Sequence, residues 1–164
     1  MTDTGARRGN AARSRGRSLA VHTLYSFEQN RYRDDDVALL PDETTADYDA
    51  DAQAFARSLF DGFRRERAAV DAAVDSRLEN WTIQRLAVLD RTILRLGAYE
   101  LLYCSDTPAK VAINEYIELS KLYGSEAKTA RLVNGVLDRI AREHRADEVG
   151  KRGAKRPASG DVDG

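Results

Sequence analysis

The soft metal ligands of this 164-residue sequence are His22, His144 and Cys104. At these separations they assemble no zinc site of common ligand spacing. Nucleophilic and phosphate-loop chemistry also lack their parts: there is no Gly-x-Ser-x-Gly elbow, no Gly-x-x-x-x-Gly-Lys-Ser/Thr loop and no Gly-x-Gly-x-x-Gly turn. Glu100, Glu115 and Glu118 lie near apolar helix faces, where paired carboxylates can exchange protons. No nucleophile or metal ligand accompanies them, so they read as helix-surface or capping groups. The expectation is a protein without enzymatic activity, metal or cofactor.

The chemistry that the sequence does offer is ionic. Five arginines, Arg7, Arg8, Arg13, Arg15 and Arg17, face a single acid, Asp3, within the first 17 residues. A guanidinium grips phosphate with a planar fork and stacks on bases, a combination suited to single-stranded RNA. This basic character is local, because 26 Lys and Arg against 27 Asp and Glu leave a net charge of −1. Between residues 34 and 51 there are eight acids and no base, with Pro41 in the middle; this stretch reads as a solvated loop or an approach to a helix. Residues 145–164 mix Lys151, Arg152, Lys155 and Arg156 with Gly, Pro and Asp and lack apolar periodicity, the pattern of a disordered tail.

The elements that must position these arginines are helices. Ala20, Leu24 and Phe27, beside Val21 and Tyr25, predict a helix over 18–29. Tyr48, Ala52, Phe55, Leu59, Gly62 and Phe63 trace a second stripe. Val70, Ala73, Val74 and Leu78 give a third helix, or a bent continuation, after a charged joint at 64–67, and Trp81 follows. Residues 86–103 are apolar on nearly every side, which marks a central helix, and Gly97 within it marks close approach of a neighbour. After Pro108, residues 111–123 resume helical spacing through Ile113, Ile117, Leu119 and Leu122 and stop at Gly124 in a C′ role. Leu132, Val136 and Ile140, with Val133 and Leu137, define the last helix. Asn134-Gly135 sits inside this pattern and is no hairpin turn. Asn114 and Asn134 are expected on largely buried faces with structural roles, and Gly135, like Gly97, where helices approach closely. The fold class is therefore all-α, with short connections.

A hydrophobic fraction of 42% with 32% charged residues suits one packed domain with polar ends. Cys104 has no intrachain disulfide partner and reads as a small apolar residue. The first 18 residues are too polar for a secretory signal, and no window approaches the ~18 apolar residues of a membrane span. A cytoplasmic location is expected.

Residues 94–102, Leu94-Arg95-Leu96-Gly97-Ala98-Tyr99-Glu100-Leu101-Leu102, are followed by Lys-Val-Ala-Ile-Asn-Glu from Lys110 and Leu-Val-Asn-Gly-Val-Leu-Asp from Leu132. Together with Arg-Ser-Leu-Ala-Val-His-Thr-Leu-Tyr-Ser from Arg17, these blocks resemble the NusB family of transcription antitermination proteins over residues 13–142. The resemblance implies about seven helices in two three-helix subdomains. Composition and resemblance together divide the chain into a flexible arginine-rich arm (1–12), a helical domain (13–144) and a disordered tail (145–164). It also implies binding without catalysis: single-stranded boxA RNA is recognised together with NusE, a small-subunit ribosomal protein. That complex acts on transcribing RNA polymerase in ribosomal RNA operons.

By position, the resemblance places Arg13, Arg15, Arg17 and Tyr25 on the RNA and Asp90 on the NusE-facing surface. Leu132 stands where many relatives carry Phe. The segment 125–131 is one residue longer than in some relatives and is basic at Lys128 and Arg131, a substitution of charge for the missing ring. NusB-like domains also precede RNA cytosine methyltransferases, but 164 residues hold no Gly-rich cofactor loop or catalytic cysteine motif for that enzyme. A protein-only scaffold or homodimer with a nonspecific basic arm is the remaining alternative.

Overall fold

A computed structural model describes residues 2–29 and 48–149 of the chain. Among the described residues the fold is all-α, with six α-helices, one 3-10 turn and no strand. In chain order these are α1 (Thr2–Gln29), α2 (Ala50–Arg65), α3 (Arg67–Asp75), the 3-10 turn (Ile83–Arg85), α4 (Val88–Tyr103), α5 (Ala109–Tyr123) and α6 (Thr129–His144). No described helix is long and apolar enough to cross a membrane.

The first helix starts 16 residues before the expected 18–29 segment, at Thr2, so the arm expected to be flexible over 1–12 is helical from its second residue. Packing explains the extension. Gly16 lies where an added Cβ would meet the Ala52 carbonyl oxygen at 2.8 Å, so the two backbones come into near contact at this glycine. Beyond it Ala12 is buried, and the Arg13 and Arg17 guanidinium carbons lie 6.0 and 5.2 Å from the Phe55 ring centroid. The apolar rows of α1 (Leu19, Ala20, Leu24, Phe27) close on Ala56, Leu59, Phe60 and Phe63 of α2, with Phe27 and Phe60 edge to face at 5.5 Å.

Helix α2 begins where the Asp49 side chain accepts from the Ala52 amide at 2.8 Å, an N-cap worth ~1 kcal/mol. It ends in a joint at which the Glu66 amide donates to both Gly62 and Phe63 carbonyls, so α3 is a bent continuation of α2. Asp49 and Asp51 belong to the acidic stretch read from sequence; its residues 34–47 lie outside the described residues.

Helix α4 is the centre, packed by α1, α2, α3, α5 and α6, while α4, α5 and α6 also pack on one another. The all-round burial expected of it holds from Thr92 to Leu101, but Arg95 and Glu100 are buried within the same run. Arg95 donates to both carboxylate oxygens of Asp71 on α3, at 2.8 and 3.0 Å, and lies 3.4 Å from Glu28 of α1. It therefore ties three helices through one side chain. Gly97 is a close-approach position: an added Cβ would lie 2.8 Å from Leu137 of α6 and 3.2 Å from Tyr116 of α5.

Four sequence expectations are corrected. Gly124 has an extended backbone, φ −64°, with no left-handed cap; its missing Cβ makes room for the Ser120 carbonyl and Thr129 side chain. Asn114 and Asn134 are exposed, on helix faces turned from the core. Gly135 is exposed too, with nothing within 4 Å of an added Cβ. The tail boundary moves past Arg145, which donates to the Thr107 carbonyl at 2.7 Å, while Glu148 accepts from the Ala109 amide at 2.9 Å at the start of α5. Residues 146–149 form a helical turn, with Val149 against the core. The cluster Lys151, Arg152, Lys155 and Arg156 lies outside the described residues.

Candidate nucleic-acid interface

The N-terminal half of α1 carries the arginines that sequence singled out, and the fold sorts them. Arg13 and Arg15 are exposed, with their guanidinium carbons 6.0 Å from the Phe55 centroid and 5.4 Å from the Tyr48 centroid. A guanidinium over an aromatic face is held in place by its stem and by the ring, with its charge at the surface. The rings of Tyr48 and Phe55, which sequence had assigned to the core stripe of α2, are thus supports for two surface cations. Their signal was the near match of an aromatic pair at the start of α2, Tyr48 just before it and Phe55 within it, with an arginine run on α1, legible only once the helices are known to pack.

Arg17 departs from the RNA-contact expectation. It is 2% exposed, and its three nitrogens donate to Glu100 Oε1 at 2.9 Å, Glu100 Oε2 at 2.6 Å and Glu115 Oε1 at 2.9 Å. Ser14 also donates to Glu115, and the Tyr116 hydroxyl donates to Glu100 at 2.8 Å. Burial alone would weaken the Arg17 proton, yet the hydrogen bonds and charge of Glu100 outweigh it and its pKa is raised. Tyr116 is fully buried, and its pKa goes up through burial first and the neighbouring Glu100 second. Arg17, Glu100, Glu115 and Tyr116 thus form a buried ionic lock between α1, α4 and α5. The Cys104 thiol nearby is pushed up to about 11 by burial, so it stays protonated and poorly nucleophilic.

Farther along α1, Tyr25 is half-buried. At 1.5 Å per residue it stands about 15 Å beyond Arg15. Between them α1 meets the end of α5: His22 packs edge-on against Tyr123 at 4.8 Å, and Ser18 and Tyr123 share a hydroxyl hydrogen bond at 3.2 Å. Burial lowers the His22 pKa, so this imidazole is neutral at physiological pH. The chain then leaves Tyr123 into the loop that ends at Lys128, with Arg131 in the first turn of α6, so α1 and this basic segment are joined through one ring.

That loop forms one wall of a groove of about 560 Å³, lined also by Leu78, Trp81, Arg85, Leu86 and Leu132. Lys128 and Arg131 are exposed on its rim and Leu132 is half-buried. Lys128 lies 3.4 Å from Glu126, a surface pair of small energetic consequence. Asp90, expected on a partner-facing surface, is instead 6% exposed at the groove floor. Its oxygens accept from the Ser125 amide at 2.9 Å, the Ser125 hydroxyl at 2.6 Å and the Thr129 hydroxyl at 3.3 Å, so it holds the basic loop against the start of α4. Sequence reasoning passed over Trp81 and Arg85 on the opposite wall; a lone indole in a polar, non-periodic stretch was the available signal. Among the described residues no group of three His, Cys, Asp or Glu is placed to hold a metal ion.

Comparison with known proteins agrees with this architecture. The sequence model of the NusB family matches residues 14–142. The transcription antitermination protein NusB of Myxococcus xanthus is 39% identical over 133 residues, covering 79% of this chain and 94% of that protein. Its counterpart from Pseudothermotoga lettingae is 33% identical over 141 residues, covering 83% and 95%. Among solved structures, T. maritima NusB superposes with a TM-score of 0.70 at 38% identity, covering 80% of this chain and 92% of that one. A second, described as the crystal structure of a plectonemic RNA supercoil, superposes at 0.70 with 26% identity, covering 80% and 95%. With the family model spanning most of the described fold and full-length relatives this similar, the chain belongs to the NusB family of transcription antitermination proteins.

Proposed function

We propose that this protein binds boxA-type single-stranded RNA together with NusE and supports processive transcription of ribosomal RNA operons by RNA polymerase. It acts in the cytoplasm, by binding and without catalysis. The observation that carries the reading is the pair of exposed guanidiniums, Arg13 over the Phe55 ring of α2 and Arg15 over the Tyr48 ring just before it. Supporting it are the family membership and a structural neighbour that is described by its RNA. In this reading Arg13 and Arg15 attract phosphate, Tyr25 stacks on an unpaired base, and Lys128 and Arg131 extend the basic track where Leu132 offers no ring. Arg17 and Asp90 act one step back, positioning α1 and the basic loop.

The test is fluorescence anisotropy of labelled boxA RNA against Arg13→Glu, Arg15→Glu, Lys128→Ala and Arg131→Ala over a range of salt. Each lost phosphate contact lowers the log–log salt slope by about 0.7 for a single strand. Slopes that stay at the wild-type value in all four variants would leave the alternative, a protein-only scaffold or self-associating adaptor whose basic helix end is passive.

A further inference from the structure

We propose that the groove between the turn at 78–87 and the segment 125–132, the end of the α5–α6 loop with the first turn of α6, takes an unpaired nucleobase of single-stranded RNA, with the Trp81 indole as its stacking face. The proposal rests on the RNA-binding reading above and adds a base site away from the arginines of α1.

Three observations carry it. The first is the ring itself: Trp81 is 54% exposed, whereas tryptophan is highly buried on average. Among the described residues its cation partner is Arg85, whose guanidinium carbon lies 5.4 Å from the indole centroid. An indole held against a guanidinium presents both elements used to grip a base, a π-face and a cation.

The second is charge. The acids of the groove each have a partner: Asp90 accepts from Ser125 and Thr129 at the floor, while Glu79, 3.2 Å from Arg139, and Glu126, beside Lys128, form surface pairs. Among the described residues Arg85 and Arg131 pair with no carboxylate. Two uncommitted guanidiniums flanking an exposed ring complement a nucleotide, phosphate outward and base inward. An acidic peptide would satisfy the cations and leave the indole unused.

The third is that both walls are fixed. Asn80 takes a left-handed backbone, φ 65°, a conformation that Asn tolerates better than most residues. Immediately after Trp81 the chain is pinned, because the Ile83 amide donates to the Asp75 carboxylate at 2.6 Å. On the other side the Arg77 carbonyl accepts from Arg139 at 3.2 Å, and Asp90 clamps the opposite wall. A groove of about 560 Å³ between rigid walls is in the size range of preformed small-ligand sites.

Trp81 is the sole tryptophan of the chain, so its fluorescence reports on this site alone. Unlabelled boxA RNA is titrated into the wild-type protein while emission is followed. Affinity is measured separately by anisotropy of labelled RNA, with and without NusE, for wild type, Trp81→Ala, Trp81→Phe and Arg85→Ala. The expected result is saturable quenching at the Kd given by anisotropy. Trp81→Ala should weaken binding about tenfold, the equivalent of about 1.4 kcal/mol and within the range for one stacked base. Trp81→Phe should stay within about threefold of wild type, and Arg85→Ala should lower the salt slope by about 0.7.

RNA bound at wild-type affinity by Trp81→Ala, with unchanged emission in the wild type, overturns the base site and leaves the groove to a protein partner. If wild type binds no RNA in any format, with or without NusE, the proposed function itself falls and this site with it. Should Trp81→Ala fail to fold, the quenching of the wild-type protein decides the matter alone.

Discussion

Replacing Arg17 by alanine separates the structural account of this residue from the RNA-contact role that its place in the arginine run suggests. Three charge-assisted hydrogen bonds, at 2.9, 2.6 and 2.9 Å, would vanish and leave the Glu100 carboxylate, which is 0% exposed, with only the Tyr116 hydroxyl. Stranding one member of a buried ion pair costs about 3–5 kcal/mol. For a domain of this size each kcal/mol moves Tm by about 4 °C, so a loss of roughly 12–20 °C is expected. Pairing Arg17→Met with Glu100→Gln removes the stranded charge while keeping an acceptor for Tyr116, and should recover more than half of that loss. The assay is thermal unfolding by circular dichroism, followed by RNA binding well below the lower Tm, where affinity should remain within about threefold of wild type. A Tm within about 3 °C of wild type, combined with RNA affinity reduced tenfold or more, would refute the lock and restore Arg17 to the RNA surface.

Two further outcomes follow from burial and space. Burial depresses the His22 pKa below its ordinary 6.5, so the unfolded chain takes up a proton before the folded one does. Stability is therefore constant above that value and falls as pH drops below about 6.5; in His22→Phe this part of the pH dependence should disappear from denaturant midpoints measured between pH 5 and 8. Gly135→Ala, on an exposed helical site with open space around it, should raise stability by about 0.5–1 kcal/mol. Gly62→Ala should lower it by about 1–3 kcal/mol, since the new Cβ would overlap the Tyr99 hydroxyl; equal effects of the two substitutions in urea titrations would contradict the packing described.

Helix type and order were legible because apolar residues recur at helical spacing along α2, α4, α5 and α6, and that pattern does not depend on distant partners. The same periodicity is blind to what the surface of another helix supplies. Arg95 and Glu100 interrupt the apolar run of α4, yet nothing local shows that Asp71 and Arg17 meet them; Arg17 and Glu100 are 83 residues apart. The early start of α1 was legible only in part: the arginine run leads straight into the apolar-periodic segment, which suggests the first turns of a helix, but Gly5, Gly9 and Gly16 argue against one until the packing of Gly16 on Ala52 is known. Asn134 and Gly135 were misplaced because helical phase alone does not separate the edge of a buried face from the first exposed position beside it. At the candidate site, residue types identified Arg13, Arg15, Lys128 and Arg131 as cations. Only the fold distinguished them from Arg17 and Asp90, whose charges are spent inside the protein.

The most direct test of the functional account compares labelled boxA RNA with its scrambled version, with and without NusE, at two salt concentrations. The account predicts tighter binding of boxA in the presence of NusE, lost on charge reversal at Arg13 and Arg15 and weaker at the higher salt concentration. Equal, weak binding of both RNAs that NusE leaves unchanged would contradict it.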